Sequence, residues 1–197
     1  MSYSANLKRE IFNLENSDKD AVYAELFGIF IAKNVITENG IYFSTENVSL
    51  AKRIYSNLRT VTNIPIQLKY VISKRLGIHK LYEVILFPTQ HNQQEYKLFL
   101  KKIYFHKNFA VVEDEKQLAG IIRGFFLSCG YIKSPEKAYA MDFFVDTEDS
   151  ATYLYYLFKQ MGKKVFQTEK KKKPCLFTKF RGYSGYNFFD WRNKFVF

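Results

Sequence analysis

The order of apolar and polar positions along the chain falls into two similar series. Residues 21–34 (AVYAELFGIFIAKN) and 117–130 (QLAGIIRGFFLSCG) are apolar on nearly every side, the pattern of a buried rather than a surface helix. Small residues recur in each at four-residue steps: Ala24, Gly28 and Ala32, then Gly120, Gly124 and Ser128. The offset between the two sets is 96 every time. Small side chains on one helical stripe let two backbones approach closely. A mid-helix glycine costs about 1 kcal/mol relative to alanine, so glycines at matched places call for a packing reason. The six residues are therefore expected to form the interface between the two helices.

The likeness continues downstream. Phe43-Ser44-Thr45-Glu46-Asn47 and Val145-Asp146-Thr147-Glu148-Asp149 each read as a strand running into a capped helix start. Residues 50–60 and 150–161 then carry apolar positions at helical spacing. Strand pairs follow at 64–73 with 79–87 and at 163–169 with 175–181, and helices close the halves at 92–103 and 186–196. An early strand is faint in both halves, within 35–44 and 138–146. Two equivalent halves, 19–105 and 112–197, predict one α+β domain over 1–197 with internal two-fold symmetry and the glycine-striped helices packed at the axis.

Composition narrows the function classes. Of 197 residues, 47% are hydrophobic and 25% charged, a balance that excludes a disordered chain. Two cysteines, 46 positions apart, exclude a disulfide framework, and three isolated histidines argue against structural zinc. No cofactor is expected. Lys8-Arg9-Glu10 stands where a secretion signal would need apolar residues, and no apolar run approaches the ~20 that span a bilayer. The expectation is a cytoplasmic, nucleoid-associated monomer that does not engage membranes. The 20 Phe and 15 Tyr fall mostly on apolar faces and read as core, as does the aromatic segment around Trp191. Cys129 reads as a small buried residue rather than a nucleophile, because no histidine lies close in sequence to activate it.

Charge points to a partner once it is located. The net +11 is concentrated in residues 52–80 and 159–181. Together these hold 16 of the 30 basic residues and one of the 19 acids, a net +15, which leaves −4 elsewhere. Alternation along 64–75 sets Gln67, Lys69, Ser73 and Arg75 on one face and Ile66, Leu68, Tyr70 and Ile72 on the other. A sheet with a basic front and an apolar back suits helices behind and phosphates in front. The expected DNA contacts are Lys69, Lys74 and Arg75 in the first half. In the second they are Lys170, Lys172, Lys179 and Arg181, with the Lys170–Lys173 run at a hairpin tip.

The glycine-centred helices resemble the LAGLIDADG motif of homing endonucleases, as LFGIFIAKN (26–34) and IRGFFLSCG (122–130). The resemblance implies a central helix pair and two saddle-shaped antiparallel sheets lying on double-stranded DNA. It also implies a metal-binding acid at the penultimate motif position, where this chain has Lys33 and Cys129. Neither supplies a hard oxygen ligand for Mg²⁺. Glu25 and Glu38 are the nearest acids to the first motif but are not on that position, so no catalytic residue is expected.

A broader resemblance, to the N-terminal domain of the bacterial WhiA family of sporulation regulators, covers nearly the whole chain. It rests on Ser2-Tyr3-Ser4, Lys8-Arg9-Glu10-Ile11, Ala24-Glu25-Leu26, Asn47 and Ala51-Lys52-Arg53-Ile54-Tyr55. Most specifically, it rests on RGFFLSCGYIKSPEK (123–137). Proteins of that family carry a helix-turn-helix domain after this one, for which the chain has no room, so it looks like a fragment or a short relative. The resulting expectation is a catalytically inactive DNA-binding module of a transcriptional regulator. The alternatives are a scaffold for a sigma factor or partner regulator and, less favoured, an active nuclease.

Overall fold

A computed structural model describes residues 2–14, 18–73, 79–107, 114–134, 140–170 and 173–179. Each half starts at an aspartate, 96 positions from its counterpart. The Asp18 carboxylate accepts a hydrogen bond from the Asp20 N–H at 2.9 Å and opens helix α2 (Lys19–Lys33). Asp114 does the same for the Lys116 N–H at 3.0 Å and opens α5 (Glu115–Cys129). A carboxylate at this position satisfies an orphan N–H and meets the positive end of the helix.

The chain then repeats one path. After α2 come β1 (Ile36–Thr37), β2 (Gly40–Thr45), α3 (Val48–Val61), β3 (Ile66–Ser73), β4 (His79–Leu86) and α4 (Gln93–Phe105). After α5 come β5 (Gly130–Ile132), β6 (Ala140–Phe144), α6 (Glu148–Gln160), β7 (Val165–Lys170) and β8 (Lys173–Lys179). Both sheets are antiparallel and share one order, β1-β2-β4-β3 and β5-β6-β8-β7. The faint early strand of the first half is thus two short strands meeting at a turn, and in the second half β6 falls within the expected 138–146 while β5 precedes it. The expected closing helix at 186–196, with Trp191, lies outside the described residues.

One helix has no sequence-level forecast: α1 (Tyr3–Phe12), capped by the Ser2 hydroxyl. Among the described residues it has no counterpart in the second half, and it ties the halves together. The Ser4 hydroxyl accepts a hydrogen bond from the Ile132 N–H at 3.3 Å, and Lys8 Nζ donates to the Leu127 carbonyl at 3.2 Å.

The centre of the molecule is the α2–α5 pair. A Cβ on Gly28 would strike the Ile121 carbonyl oxygen, and one on Gly124 the Glu25 carbonyl oxygen. At Gly120 it would lie 2.8 Å from the Ala21 carbonyl oxygen and 3.0 Å from the Ala24 Cβ. Hydrogen on these carbons is what allows backbone-to-backbone packing. The Ser128 hydroxyl crosses the same seam to the Ile29 carbonyl at 3.4 Å. Around the pair, one continuous core runs from Phe27, Phe30 and Phe43 to Phe125, Phe126, Phe143 and Phe158. Among the described residues no helix is long and apolar enough to cross a membrane.

Candidate nucleic-acid interface

The first sheet turns one face of its β2 strand to the helices and leaves the other open. In β2, Ile41 and Phe43 are buried while Tyr42 and Ser44 are exposed. The register then sets Ser44, Glu83 and Lys69 in one row across the open face. In the second sheet the register sets positions 131, 142, 177 and 166 in the corresponding row, in which Asp142 is buried. Tyr42, Tyr131 and Phe166 are all substantially exposed, so part of the aromatic excess is surface rather than core.

The expected contact residues distribute unevenly. Lys69 is exposed on the open face of the first sheet. Lys170 ends β7 opposite Lys173, and Lys179 ends β8 opposite Ala140; by register, positions 170 and 179 follow the alternation of Phe166 and Tyr131. Lys74, Arg75, Lys172 and Arg181 lie outside the described residues.

Two expectations about this surface are corrected. The surplus charge of 52–80 does not lie on one face. Lys52 and Arg59 are exposed on α3, Arg53 is buried, and Lys69 faces Glu83 across the ladder. A count along the chain cannot see a residue 14 positions away on the neighbouring strand. The apolar back of β3 is also not covered throughout: Leu68, Tyr70 and Ile72 are 44%, 51% and 53% exposed. By register Phe43, Val84 and Leu68 share one side, and the cover that buries Phe43 and Val84 does not extend to the edge strand β3.

The buried cation is part of a centre that sequence alone does not assemble. Glu25, on α2, has no solvent exposure. Its carboxylate accepts from Arg53 Nε at 2.5 Å and Nη2 at 2.9 Å, from Asn57 Nδ2 at 2.9 Å, and from Arg123 Nε at 2.5 Å. The remaining guanidinium nitrogen of Arg53 donates to the Ile11 and Leu14 carbonyls, each at 2.9 Å, at the end of α1. One carboxylate thus joins α1, α2, α3 and α5. Burial pushes the Glu25 carboxyl up. The hydrogen bond from Arg53 and the charges of Arg123 and Arg53 outweigh it and hold the group below the usual value.

The helix pair ends at the positions where the nuclease motif carries its acids. Lys33 Nζ lies 3.5 Å from Asp146 Oδ2, and the Asp146 N–H donates to the Ala32 carbonyl at 3.1 Å. Ser150 Oγ donates to the Ile31 carbonyl at 2.7 Å. Cys129 is buried, its Sγ 3.3 Å from the Phe125 carbonyl, and burial pushes its thiol up to about 12. Lys8 comes from α1 to the same place; burial lowers its ammonium to about 8. A divalent cation does not fit this donor set. It would meet two lysines and a protonated thiol, with the adjacent carboxylate already engaged.

Three comparisons bear on this geometry. The family described as "WhiA LAGLIDADG-like domain" matches residues 118–181. A protein named "Probable cell division protein WhiA" from Ruminiclostridium cellulolyticum is 29% identical over 157 residues, covering 72% of this chain and 48% of that protein. The chain spans about half the length of the curated relatives it matches. Full-length DUF199/WhiA from Thermatoga maritima superposes with a TM-score of 0.67 at 17% identity, over 91% of this chain and 57% of the other. The homing endonuclease I-WcaI, bound to its DNA recognition sequence, superposes at 0.52 and 13% identity over 89% of this chain and 80% of the other. At such identities the structural matches establish the fold.

Proposed function

Because the chain carries a LAGLIDADG-like domain of the WhiA kind, we propose that it binds double-stranded DNA along the open faces of its two sheets and does not cut it. The observation that carries this reading is that each half contributes one antiparallel sheet of the same strand order and one helix of the packed α2–α5 pair. Lys69, Lys74 and Arg75 contact phosphates in one half, and Lys170, Lys172, Lys179 and Arg181 in the other. Phosphate contacts of this kind fix position on the duplex rather than read bases. Lys33 and Cys129 in place of metal-binding acids support an inactive scaffold. The protein then works as one domain over 1–197, a monomer with pseudo-repeats 19–105 and 112–197. Its setting is the nucleoid, as part of a regulator of transcription in sporulation or cell division.

Fluorescence anisotropy on a short labelled duplex at low salt tests the reading. The chain should bind, and Lys69→Ala, Lys170→Ala and Lys179→Ala combined should weaken binding at least tenfold. Supercoiled plasmid incubated with the chain and Mg²⁺ or Mn²⁺ should stay intact; nicking that survives repurification would overturn the inactive half of the proposal. The exposed apolar stretch Leu68, Tyr70 and Ile72 supports a second reading, a protein partner such as a sigma factor or another regulator. That reading takes over if the three substitutions leave DNA affinity unchanged.

A further inference from the structure

Between the first turns of α2 and α5 and the last turns of α4 there is a cleft of about 530 Å³. Tyr23 of α2 lines it together with Leu98 and Phe105 of α4, and Lys101 and Lys102 stand beside them. The Tyr23 ring is a fixed wall, because its hydroxyl donates to the Val61 carbonyl at 2.9 Å. None of the lining residues belongs to a strand. The cleft is therefore separate from the sheet faces proposed for DNA.

The helix that forms its lip carries apolar and basic groups together. Helix α4 buries Tyr96, Phe99 and Ile103. That leaves Leu98, Lys101, Lys102 and Phe105 on the outward side, at the i, i+3, i+4, i+7 spacing of one helical stripe. Leu98 is 57% and Phe105 51% exposed, and Lys97 and Lys107 are exposed on the same helix and just past its end. No residue from 96 to 112 is acidic, and among the described residues Lys97, Lys101 and Lys102 enter no ion pair. Lys102 Nζ stands 5.3 Å from the centroid of the Tyr23 ring, which holds an ammonium at the wall without cancelling its charge. Asp20 is the acid among the lining residues, and the two lysines outnumber it.

An outward helix face is ordinarily polar throughout. Two large apolar side chains set among uncompensated ammoniums fit a partner that brings both apolar and anionic groups. A nucleic-acid backbone brings phosphates but no apolar side chain to fill a hollow. A bilayer surface receives apolar side chains that project into it, whereas here the apolar surface lines a concavity. A protein segment with carboxylates around one large apolar anchor matches the shape and the charge together.

We propose that the cleft and the outward stripe of α4 form a docking site for an acidic segment of a partner protein. The segment sets an aromatic or aliphatic side chain between Tyr23, Leu98 and Phe105, and its carboxylates against Lys97, Lys101 and Lys102. Docked there it leaves both sheets uncovered, so that the partner and DNA are held at once.

Titration of the ¹⁵N-labelled full chain with a short synthetic peptide tests this. The peptide is rich in glutamate and carries one phenylalanine and one leucine a helical turn apart. It should shift the amide resonances of Tyr23, Leu98, Lys101 and Phe105 saturably. Two control peptides, one with serine for both apolar residues and one with glutamine for the glutamates, should each bind about tenfold more weakly or worse. Leu98→Ser with Phe105→Ser, both at exposed positions, should weaken the parent peptide by about tenfold. Lys101→Ala with Lys102→Ala should weaken it and make its affinity less sensitive to salt. The affinity for a labelled duplex should be the same with and without saturating peptide. The control peptides use the wild-type chain, so the test holds even if a variant fails to fold. No saturable shift at millimolar peptide, or a serine control that binds as tightly as the parent, would overturn the proposal. So would duplex DNA or phosphatidylglycerol vesicles moving these resonances in place of the peptide.

Discussion

Glu25 is the residue on which the central packing turns, and its position in the sequence gives little warning of that. As an acid beside the first glycine-centred motif it was legible, but on the wrong place for a metal ligand. Its partners lie 28, 32 and 98 positions away, and no local periodicity links residues that distant. Breaking a buried ion pair by removing one partner costs about 3–5 kcal/mol, because the other charge stays buried and unpaired. Here two guanidinium groups would be stranded, so Glu25→Gln should lower unfolding free energy by that amount or more in urea titrations. The pH dependence has a definite sign. Because the folded carboxyl is held below its ordinary value of 4.5, its contribution is present above that pH and is lost as pH falls through the folded value. Thermal melts of the wild type should lose stability on acidification below about 4.5, and Glu25→Gln should flatten that loss. Cys129 behaves in the opposite manner to a reactive thiol. With its ionisation pushed up to about 12, it should resist alkylation at about pH 8 in a Cys175→Ser background, reacting only as the chain unfolds.

At the level of elements, the helix seam was the most legible feature. Its signal is local: small residues every fourth position, repeated at a constant offset, are visible without knowing what they touch. The close approach of α2 and α5 is the physical reason, since the atoms that would meet a new methyl group are backbone and cannot rotate away. Gly124→Ala should therefore destabilise by about 1–3 kcal/mol despite alanine's better helix propensity, measured as a fall in the denaturant midpoint at unchanged slope. Other elements were less legible for definite reasons. Helix α1 is short, and the hydrogen bonds that Ser4 accepts and Lys8 donates link it to residues more than a hundred positions away. The early strands are two or three residues long in places, below the length at which alternation can be recognised. On β3 the alternation itself was right in phase. Its meaning was not, because β3 is the edge strand, and its apolar residues stay exposed beside the buried Val84 of β4.

At the scale of the whole molecule, the duplication was legible and the surface was only partly so. Strand order, cap positions and the helix pair repeat across the halves, and those follow from sequence likeness. Charge does not transfer so simply. A net +15 in two matched segments suggested two basic faces, yet Arg53 of that total is committed to Glu25 and Lys69 stands opposite Glu83. Of the proposed DNA contacts, Lys69 is exposed, and positions 170 and 179 end strands of the second sheet. The number of phosphates neutralised measures this surface directly. Association of the full chain with a short duplex, followed from low to physiological salt, should give log K falling linearly with log salt by about 0.9 for each phosphate contacted. Replacing Lys69, Lys170 and Lys179 with alanine together should make the slope shallower by up to about 2.7, three such contacts. A slope near zero, or no measurable binding at low salt, would contradict DNA contact through the sheet faces.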